Sequence, residues 1–371
     1  MSRINDLIAE YCPNGVEYRE LAELVDYQQP SPYIVSSTNY DDSFSLPVLT
    51  AGQSFILGYS DDDQGIFYAS AERPVIIFDD FTTSFHWVDF DFKVKSSAIK
   101  MLRIKPDVDC SFRYVYYAMS CIQYVPKEHS RQWISIYSTF KIPVPPLPVQ
   151  EEIVRILDSF SSLEAELEAE LEARRKQYTH YRDELLKFER ERVLIASLGE
   201  LCKISVGRKN GTAGEFGEYP YVNAGTSMSG FVNEWSEEGD CVTTPSRGQG
   251  GMGFVAYQAS RFWCGPLCYV MRSKHSDVMI KYVYYYLCSH KADILGLVHE
   301  GGTPAINKSE LAGLRILVPP FVEQRRIVSI LDRFDKLTND LSSGLPAEIE
   351  ARRKQYEYYR DRLLSFDELA V

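Results

Sequence analysis

A long helix-forming stretch occurs twice in this chain of 371 residues, and this repeat constrains the possible fold more than any other feature. Residues 153–160, Ile-Val-Arg-Ile-Leu-Asp-Ser-Phe, return at 327–334 as Ile-Val-Ser-Ile-Leu-Asp-Arg-Phe. Ala-Arg-Arg-Lys-Gln-Tyr occurs unchanged at 173–178 and at 351–356. A repeat of this length indicates that one structural unit is present twice.

The first copy carries an apolar seam whose members are three or four positions apart, as in a coiled coil. The seam consists of Ile153, Leu157, Phe160, Leu167, Leu171, Tyr178, Tyr181, Leu185 and Phe188. The second copy keeps this seam, but Gly344 is predicted to interrupt the helix and Pro346 to restart it. Two such helices are predicted to pack on each other. The alternative is a pair of core helices in one large domain.

The remaining sequence forms two globular regions, so the chain divides into four segments. These are a first domain at 1–149, a helical repeat at 150–194, a second domain at 195–320 and a second helical repeat at 321–371. Short apolar runs bounded by Gly, Asp and Ser predict strands in the first domain. We expect strands at 47–50, 54–57, 74–78, 98–102 and 141–146, and helices at 5–11 and 112–122.

The second domain repeats the plan of the first with different loops. Residues 46–53 align with 219–226, residues 113–117 with 281–285, and residues 142–146 with 316–320. The tyrosines in the second pair of segments are predicted to be the core of a shared helix. Between these matches the two domains differ, most clearly at 78–84 and 243–251. Because loops on a rigid framework carry recognition, the two domains are predicted to have different targets.

The net charge of −12 argues against a nucleic-acid partner for the chain as a whole. The charge is unevenly distributed, however, because residues 93–141 contain nine basic and three acidic side chains. The sequence contains no long apolar run and no signal-peptide core, so we expect a cytoplasmic protein without membrane contact. The eight cysteines lack metal-binding spacing and are predicted to be reduced, mostly buried thiols.

The alternation of a variable domain with a near-identical helical repeat resembles the specificity subunit of type I restriction-modification systems. The similarity rests on 150–158, 173–178, 181–183 and 344–352 in the repeats, and on 49–53, 78–81 and 245–248 in the domains. It implies an α+β fold in which two mixed α/β target-recognition domains are separated by two long antiparallel coiled-coil helices with pseudo-twofold symmetry.

The same resemblance implies a function and partners. The chain would read a bipartite, asymmetric site in double-stranded DNA, scaffold two modification (methyltransferase) subunits and later bind restriction (translocase/endonuclease) subunits, in defence against foreign DNA. It would bind no cofactor itself. S-adenosylmethionine, used to methylate adenine, would belong to the modification partner, and ATP and Mg to the restriction partner.

No complete active site is recognisable, so we expect a non-catalytic subunit without a metal site. Val318-Pro319-Pro320-Phe321 resembles an amino-methyltransferase loop, but valine cannot accept the hydrogen bond that the first position requires. Asp79 and Asp80 with Glu72 are interpreted as an acidic turn in preference to a metal site. The alternatives left open are a fused recognition part of a methyltransferase or nuclease, and a structural coiled-coil adaptor.

Polar side chains in the loops of both domains are the candidates for DNA contact, because Lys and Arg bind phosphates while Asn, Gln, Arg and Thr read bases. In the first domain these are Thr82, Thr83, Ser84, His86, Lys93, Lys95 and Lys100. In the second they are Arg208, Lys209, Asn223, Ser246, Arg247, Gln249, Asn307 and Lys308. The candidates for partner docking are Arg174, Arg175, Tyr178, Arg352, Arg353 and Tyr356.

Overall fold

A computed structural model describes residues 2–52, 54–189, 193–208, 213–299, 301–340 and 342–369. The chain divides into two compact units. Unit 1 comprises Met1–Glu166 and Glu350–Val371, and unit 2 comprises Leu167–Ile349. Each unit therefore holds one globular region together with segments from both helical repeats.

Unit 1 begins with a helix and continues as a succession of short strands. Its elements are α1 (Ser2–Tyr11), β1 (Glu17–Glu20), α2 (Leu21–Leu24), β2 (Val25–Gln28), β3 (Leu46–Leu49), β4 (Ile56–Ser60), β5 (Val75–Asp79), β6 (Phe85–Val88), β7 (Lys93–Val94), β8 (Ile99–Ile104), α3 (Phe112–Met119) and β9 (Lys141–Val144). Short 3-10 helices lie at Ser31–Tyr33 and Tyr137–Thr139. The long helix α4 (Leu147–Leu185) then leads from unit 1 into unit 2.

Unit 2 repeats this order. Its elements are β10 (Leu194–Ser197), α5 (Leu198–Leu201), β11 (Cys202–Val206), β12 (Tyr219–Val222), β13 (Phe231–Val232), β14 (Cys241–Pro245), β15 (Ala256–Gln258), β16 (Trp263–Cys264), β17 (Cys268–Ser273), α6 (Ile280–Ser289), α7 (Lys291–Leu295), α8 (Lys308–Gly313) and β18 (Arg315–Val318). The helices α9 (Phe321–Asn339) and α10 (Leu345–Leu363) complete the chain.

The strands form the same three sheets in each unit. In unit 1 the strand orders are β2-β8-β5-β6, β4-β3-β7 and β1-β9, and in unit 2 they are β11-β17-β14-β15, β13-β12-β16 and β10-β18. Among the strands of the described residues, all pairs are antiparallel apart from β3 with β7 and β12 with β16. The prediction of one plan used twice is therefore confirmed.

The predicted elements differ slightly in extent from those observed, and two of the differences have a clear local cause. The strand expected at 54–57 begins at Ile56, because the backbone N–H and the side chain of Thr50 bind Phe55 O and Ser54 O in a turn. The helix expected at 112–122 ends at Met119, where the Ser120 hydroxyl donates to Tyr117 O. Such local side-chain bonds compete with the regular backbone pattern.

The core of each unit forms around the tyrosine-rich helix, α3 or α6. Tyr114 and Tyr117 of α3, and Tyr282 and Tyr285 of α6, are among the largest fully buried side chains. Tyr114 OH donates to Pro143 O, and Tyr282 OH to Leu317 O, so each hydroxyl has a partner in the adjacent exit strand. The prediction that these tyrosines are core residues is confirmed. Six of the cysteines are also buried, as expected.

The two helical repeats differ in continuity. Helix α4 has 39 residues, whereas the second repeat is broken into α9 and α10 of 19 residues each. At the break, the Asp340 carboxylate accepts bonds from Ser342 N–H and from the hydroxyls of Ser342 and Ser343. A Cβ at Gly344 would lie 2.6 Å from Lys336 O, so the turn requires glycine. The predicted interruption is confirmed.

Within unit 1, α4 and α10 run antiparallel. Phe160 stacks on Tyr359 with ring centroids 5.5 Å apart, and Glu164, farther along α4, pairs with Arg353, which comes earlier in α10. Within unit 2, Tyr181 of α4 stacks on Phe334 of α9 at 5.6 Å. Aromatic pairs of this kind add specific geometry to the burial of an apolar seam.

Candidate nucleic-acid interfaces of the two units

In unit 1 the turn between β5 and β6 projects polar side chains. The Asp79 carboxylate accepts the N–H groups of Phe81 and Thr82 at 2.9 and 2.8 Å, a turn that aspartate favours. Thr83 has a φ of +62°, a strained value for a threonine, and its N–H donates to Asp79 O at 2.9 Å. As a result Thr82 is exposed at the tip and Ser84 is half-buried beside it, whereas Thr83 is buried.

A second loop is fixed against this turn by Asp80, which is 0% exposed. Its Oδ1 accepts the N–H groups of Gln132 and Trp133 at 3.1 and 2.8 Å, and its Oδ2 accepts Arg131 Nη1 at 3.1 Å. Gln132 N–H also donates to Asp80 O at 2.8 Å. We call residues 79–84 together with 127–133 the first junction. Asp80 is thus a buried structural acceptor, consistent with the interpretation of an acidic turn.

Two of the lysines predicted to bind DNA are not on the surface, which corrects the expectation for Lys93 and Lys100. Lys93 is 4% exposed, and its Nζ contacts Asp62 Oδ2 at 2.9 Å and Gln64 O at 2.6 Å. Lys100 is 1% exposed with its Nζ 3.6 Å from Asp80 Oδ2. Lys93 lies in β7 and Lys100 in β8, where the neighbouring strand residues are buried as well, and a buried charge must be paired.

Thr83 is buried as well, which corrects its prediction as a DNA contact, whereas Lys95 and His86 remain partly accessible. Lys95 is half-buried with its Nζ 5.7 Å from the centroid of the Tyr40 ring. His86 Nε2 lies 3.1 Å from Gly52 O, and its ring packs at 4.6 Å on Phe55. The structure also brings Lys127, His129 and Arg131, all exposed, to the first junction. We did not predict this loop, although the basic excess of residues 93–141 was its signal.

Unit 2 has a corresponding turn and loop after β14. Gly248 N–H donates to Pro304 O, and Ile306 N–H donates to Ser246 O, both at 3.0 Å. Gly248 has a φ of +136°, a region that disfavours other residues. We call residues 245–250 together with 303–308 the second junction. It brings together four predicted residues with exposed side chains, namely Arg247, Gln249, Asn307 and Lys308.

A pocket of about 310 Å³ opens at the second junction, lined in part by Ser246, Arg247 and Asn307. Asn223 is adjacent to this pocket, because its Oδ1 accepts the N–H of Leu267, a lining residue, at 2.9 Å. The Asn223 side chain is half-buried. Arg208 is exposed, and its carbonyl accepts Trp263 Nε1–H at 3.1 Å. Lys209 lies outside the described residues.

The helical residues predicted to dock partner subunits differ in how many contacts they make within the chain. In unit 2, Arg174 binds Glu170 and Gln177, Arg175 is exposed, and Tyr178 packs near Phe334. In unit 1, Arg352 binds Gln355, Arg353 pairs with Glu164, and Tyr356 packs against the core. Burial raises the pKa of Tyr356, as expected for a phenol in an apolar environment.

Two absences apply to the described part of the chain. No group of three or more His, Cys, Asp or Glu side chains is arranged there to hold a metal ion. Among the same residues, no helix has the length and apolar character that crossing a bilayer requires.

The fold and the two junctions define a class of protein, a tandem recognition scaffold in which one framework presents two different surfaces.

Comparison with known proteins identifies the family. The model for the type I restriction modification DNA specificity domain matches residues 13–173 and again 192–351, so the chain belongs to this family. Its function is that of a type I specificity subunit, which recognises DNA sequence. The family supports this function over that of a fused enzyme.

Individual relatives agree with the family model. The chain is 40% identical to a type I restriction enzyme specificity subunit of Escherichia coli, over 95% of this chain and 94% of that protein. It is 29% identical to a putative specificity subunit of Haemophilus influenzae, over 68% of this chain and 72% of the relative. The S subunit of M. genitalium has a similar fold, with a TM-score of 0.66 at 16% identity, covering 94% of this chain and 96% of that one.

Proposed function

We propose that each unit reads one half of an asymmetric, bipartite site in double-stranded DNA, and that the junction of that unit supplies the reading surface. One observation carries this proposal. The same backbone hydrogen bond joins turn and loop in both units, from Gln132 N–H to Asp80 O and from Ile306 N–H to Ser246 O. The backbone is therefore alike, while the side chains that it presents differ.

The exposed and half-buried polar residues are the proposed DNA contacts. In unit 1 they are Thr82, Ser84, His86 and Lys95, and in unit 2 they are Arg208, Asn223, Ser246, Arg247, Gln249, Asn307 and Lys308. Side chains on a fixed backbone suit base reading, because a preorganised group loses less entropy on binding. Lys95, Arg208 and Lys308 are assigned to phosphates, where charge contributes affinity without sequence preference.

The helical repeats are proposed to dock two modification subunits, with restriction subunits joining the assembly. Support comes from the middle of α4, where the seam residues Leu167 and Leu171 are only half-buried and the neighbouring Arg175 is exposed. Partly exposed apolar residues beside a charge are typical of a protein interface. In this proposal S-adenosylmethionine is held by the modification subunits and ATP with Mg by the restriction subunits.

An exchange of one domain tests the proposal. Residues 199–319 would be replaced by the corresponding segment of another specificity subunit, and the chimera expressed with its modification subunits. Sequencing of methylated positions in the host genome should show one new half-site and one unchanged half-site. The matched control reinserts the chain's own segment through the same cloning junctions, so that its protein sequence is unchanged. A change in both half-sites, or in neither, would contradict the assignment of one half-site to each unit.

We further propose that the chain has no catalytic activity of its own, in keeping with the specificity subunits that it resembles. The purified chain should transfer no methyl group from labelled S-adenosylmethionine to DNA. Addition of modification subunits to the same sample should restore transfer. Methylation by the chain without partners would refute this part of the proposal.

A further inference from the structure

Arg131 is an exposed cation whose position is set by the protein. Its side chain is 49% exposed, yet Nη1 donates to Asp80 Oδ2 at 3.1 Å and to Ser97 O at 3.4 Å. Within the described residues, neither Nε nor Nη2 makes a hydrogen bond. The guanidinium is thus held through one nitrogen, and its other edge remains available to a ligand.

The anchor of this arginine is rigid. The Asp80 side chain is 1% exposed and is fixed by the N–H groups of Gln132 and Trp133. Lys100 Nζ lies 3.6 Å from the same Oδ2 and is itself buried. Asp80 therefore retains a cationic partner without Arg131, so the buried charge does not by itself explain why an exposed arginine also binds there.

On one side of Arg131, two aromatic rings limit the space that its guanidinium can occupy. The rings of Phe81 and His129 stack with centroids 4.6 Å apart and an interplanar angle of 18°. The guanidinium carbon of Arg131 lies 5.7 Å from the centroid of Phe81. Since both rings belong to the first junction, they restrict the directions that the arginine can take.

We propose that Arg131 reads a guanine in the half-site of unit 1 and that Asp80 is its positioning residue, an inference that rests on the proposed function. The free Nε–Nη2 edge offers two parallel N–H donors, and guanine presents the matching O6 and N7 acceptors in the major groove. Because Nη1 is already bound, little side-chain freedom remains to be lost when the base is contacted.

The second junction presents its cation differently. The backbone hydrogen bonds to Asp80 O and Ser246 O make Gln132 equivalent to Ile306, so Arg131 corresponds to Ala305. The arginine of the second junction, Arg247, instead occupies the turn, where unit 1 has Phe81. The arginine therefore comes from the loop in the first junction and from the turn in the second, as expected of two surfaces with different targets.

The test uses the complex of the chain with its modification subunits and the R131K variant, which keeps the charge but loses the bidentate edge. Binding is measured on duplexes in which each position of both half-sites is varied in turn. We expect discrimination at one guanine of a single half-site to fall by about 5- to 150-fold, the range of a bidentate base contact. All other positions should be unchanged. D80N should relax the same position, because its amide nitrogen repels Nη1.

Two controls complete the design. R73K alters another exposed arginine of unit 1 and should change no position, while the thermal unfolding midpoint of R131K should match that of the parent. A loss of affinity that is uniform across all base positions would make Arg131 a phosphate contact and overturn the inference, as would an unchanged profile. If D80N fails to assemble, R131K decides alone. If R131K leaves the profile intact while the domain exchange still alters one half-site, the inference fails and the proposed function stands.

Discussion

The hydroxyl of Tyr117 donates a hydrogen bond of 2.5 Å to Asp158 Oδ1, and this bond joins α3 to α4 in unit 1. Tyr285 donates to Asp332 Oδ1 at 2.6 Å and joins α6 to α9 in unit 2. A basic side chain, Arg113 in the first case and Lys281 in the second, binds the same carboxylate. The two contacts are therefore equivalent attachments of a globular region to a helix.

Y117F should lower the free energy of unfolding by about 1.5 kcal/mol, because a hydrogen bond to a charged group is lost while Arg113 still holds the carboxylate. Y116F removes a hydroxyl from the neighbouring position of the same helix and serves as the control. Urea unfolding followed by circular dichroism measures both. Equal losses for the two variants would show that the Asp158 contact has no special role.

The same pair predicts a loss of stability at alkaline pH. Burial, with the hydrogen bond to Asp158, raises the pKa of Tyr117 to about 12 from its ordinary value of 10.0. The unfolded chain therefore releases this proton first, so the contribution is complete below pH 10 and is lost as the pH rises towards 12. Y117F should lose less stability than the parent between pH 9 and 11 in urea titrations. Parallel curves would contradict the prediction.

Substitution of the buried Lys100 should affect stability, whereas substitution of the partly exposed Lys95 should affect DNA binding. K100M removes a cation from a buried pair and should cost about 3–5 kcal/mol of unfolding free energy, the usual effect of leaving a buried charge without its partner. Because Arg131 also binds the Asp80 carboxylate, we expect a loss of unfolding free energy near the lower end of this range. K95M should leave stability nearly unchanged and reduce the salt slope of DNA binding by about one.

Calorimetric or urea unfolding and a salt titration of binding separate these outcomes. A stable K100M variant with a reduced salt slope would mean that Lys100 faces the DNA after all.

Charge reversal at the exposed Arg175 should weaken assembly with modification subunits and leave the fold intact. R174E, R352E and R353E should also weaken assembly, but R353E additionally breaks the pair with Glu164, so R175E is the cleaner variant. K203E, at an exposed lysine of β11, is the control for a general effect of charge. Analytical ultracentrifugation of the mixed subunits gives the stoichiometry. Unchanged stoichiometry for R175E would count against docking at this position.

Four residues inserted after Ala169 should change the length of the gap between the half-sites. The base sequence of each half-site should stay the same. The insertion adds slightly more than one turn and lengthens α4 by about 6 Å. This equals nearly two base pairs of DNA at about 3.4 Å each. Mapping of methylated positions would report the change, with a length-neutral substitution of residues 166–169 as the control. Altered bases in either half-site would contradict the prediction.

Much of the fold was predictable because it depends on local and periodic signals. The strands β3, β5 and β8, the tyrosine-rich helices α3 and α6, and the break at Gly344 all follow from apolar alternation, helical spacing or the backbone limits of Gly and Pro. The candidate site was less predictable. Lys93 and Lys100 carry the same charge as Lys95, and composition does not reveal which lysine finds a carboxylate in the interior.

The sequence by itself determined that this protein is a duplicated scaffold, since a repeated pattern must produce a repeated fold. It also identified the regions where the two copies diverge. Only the tertiary structure decided which side chains meet. Asp80 and Arg131 are far apart in the chain, and their contact depends on the loop that the buried carboxylate binds through two N–H groups. Contacts between distant segments depend on packing and on the pairing of buried charge, which no local pattern records.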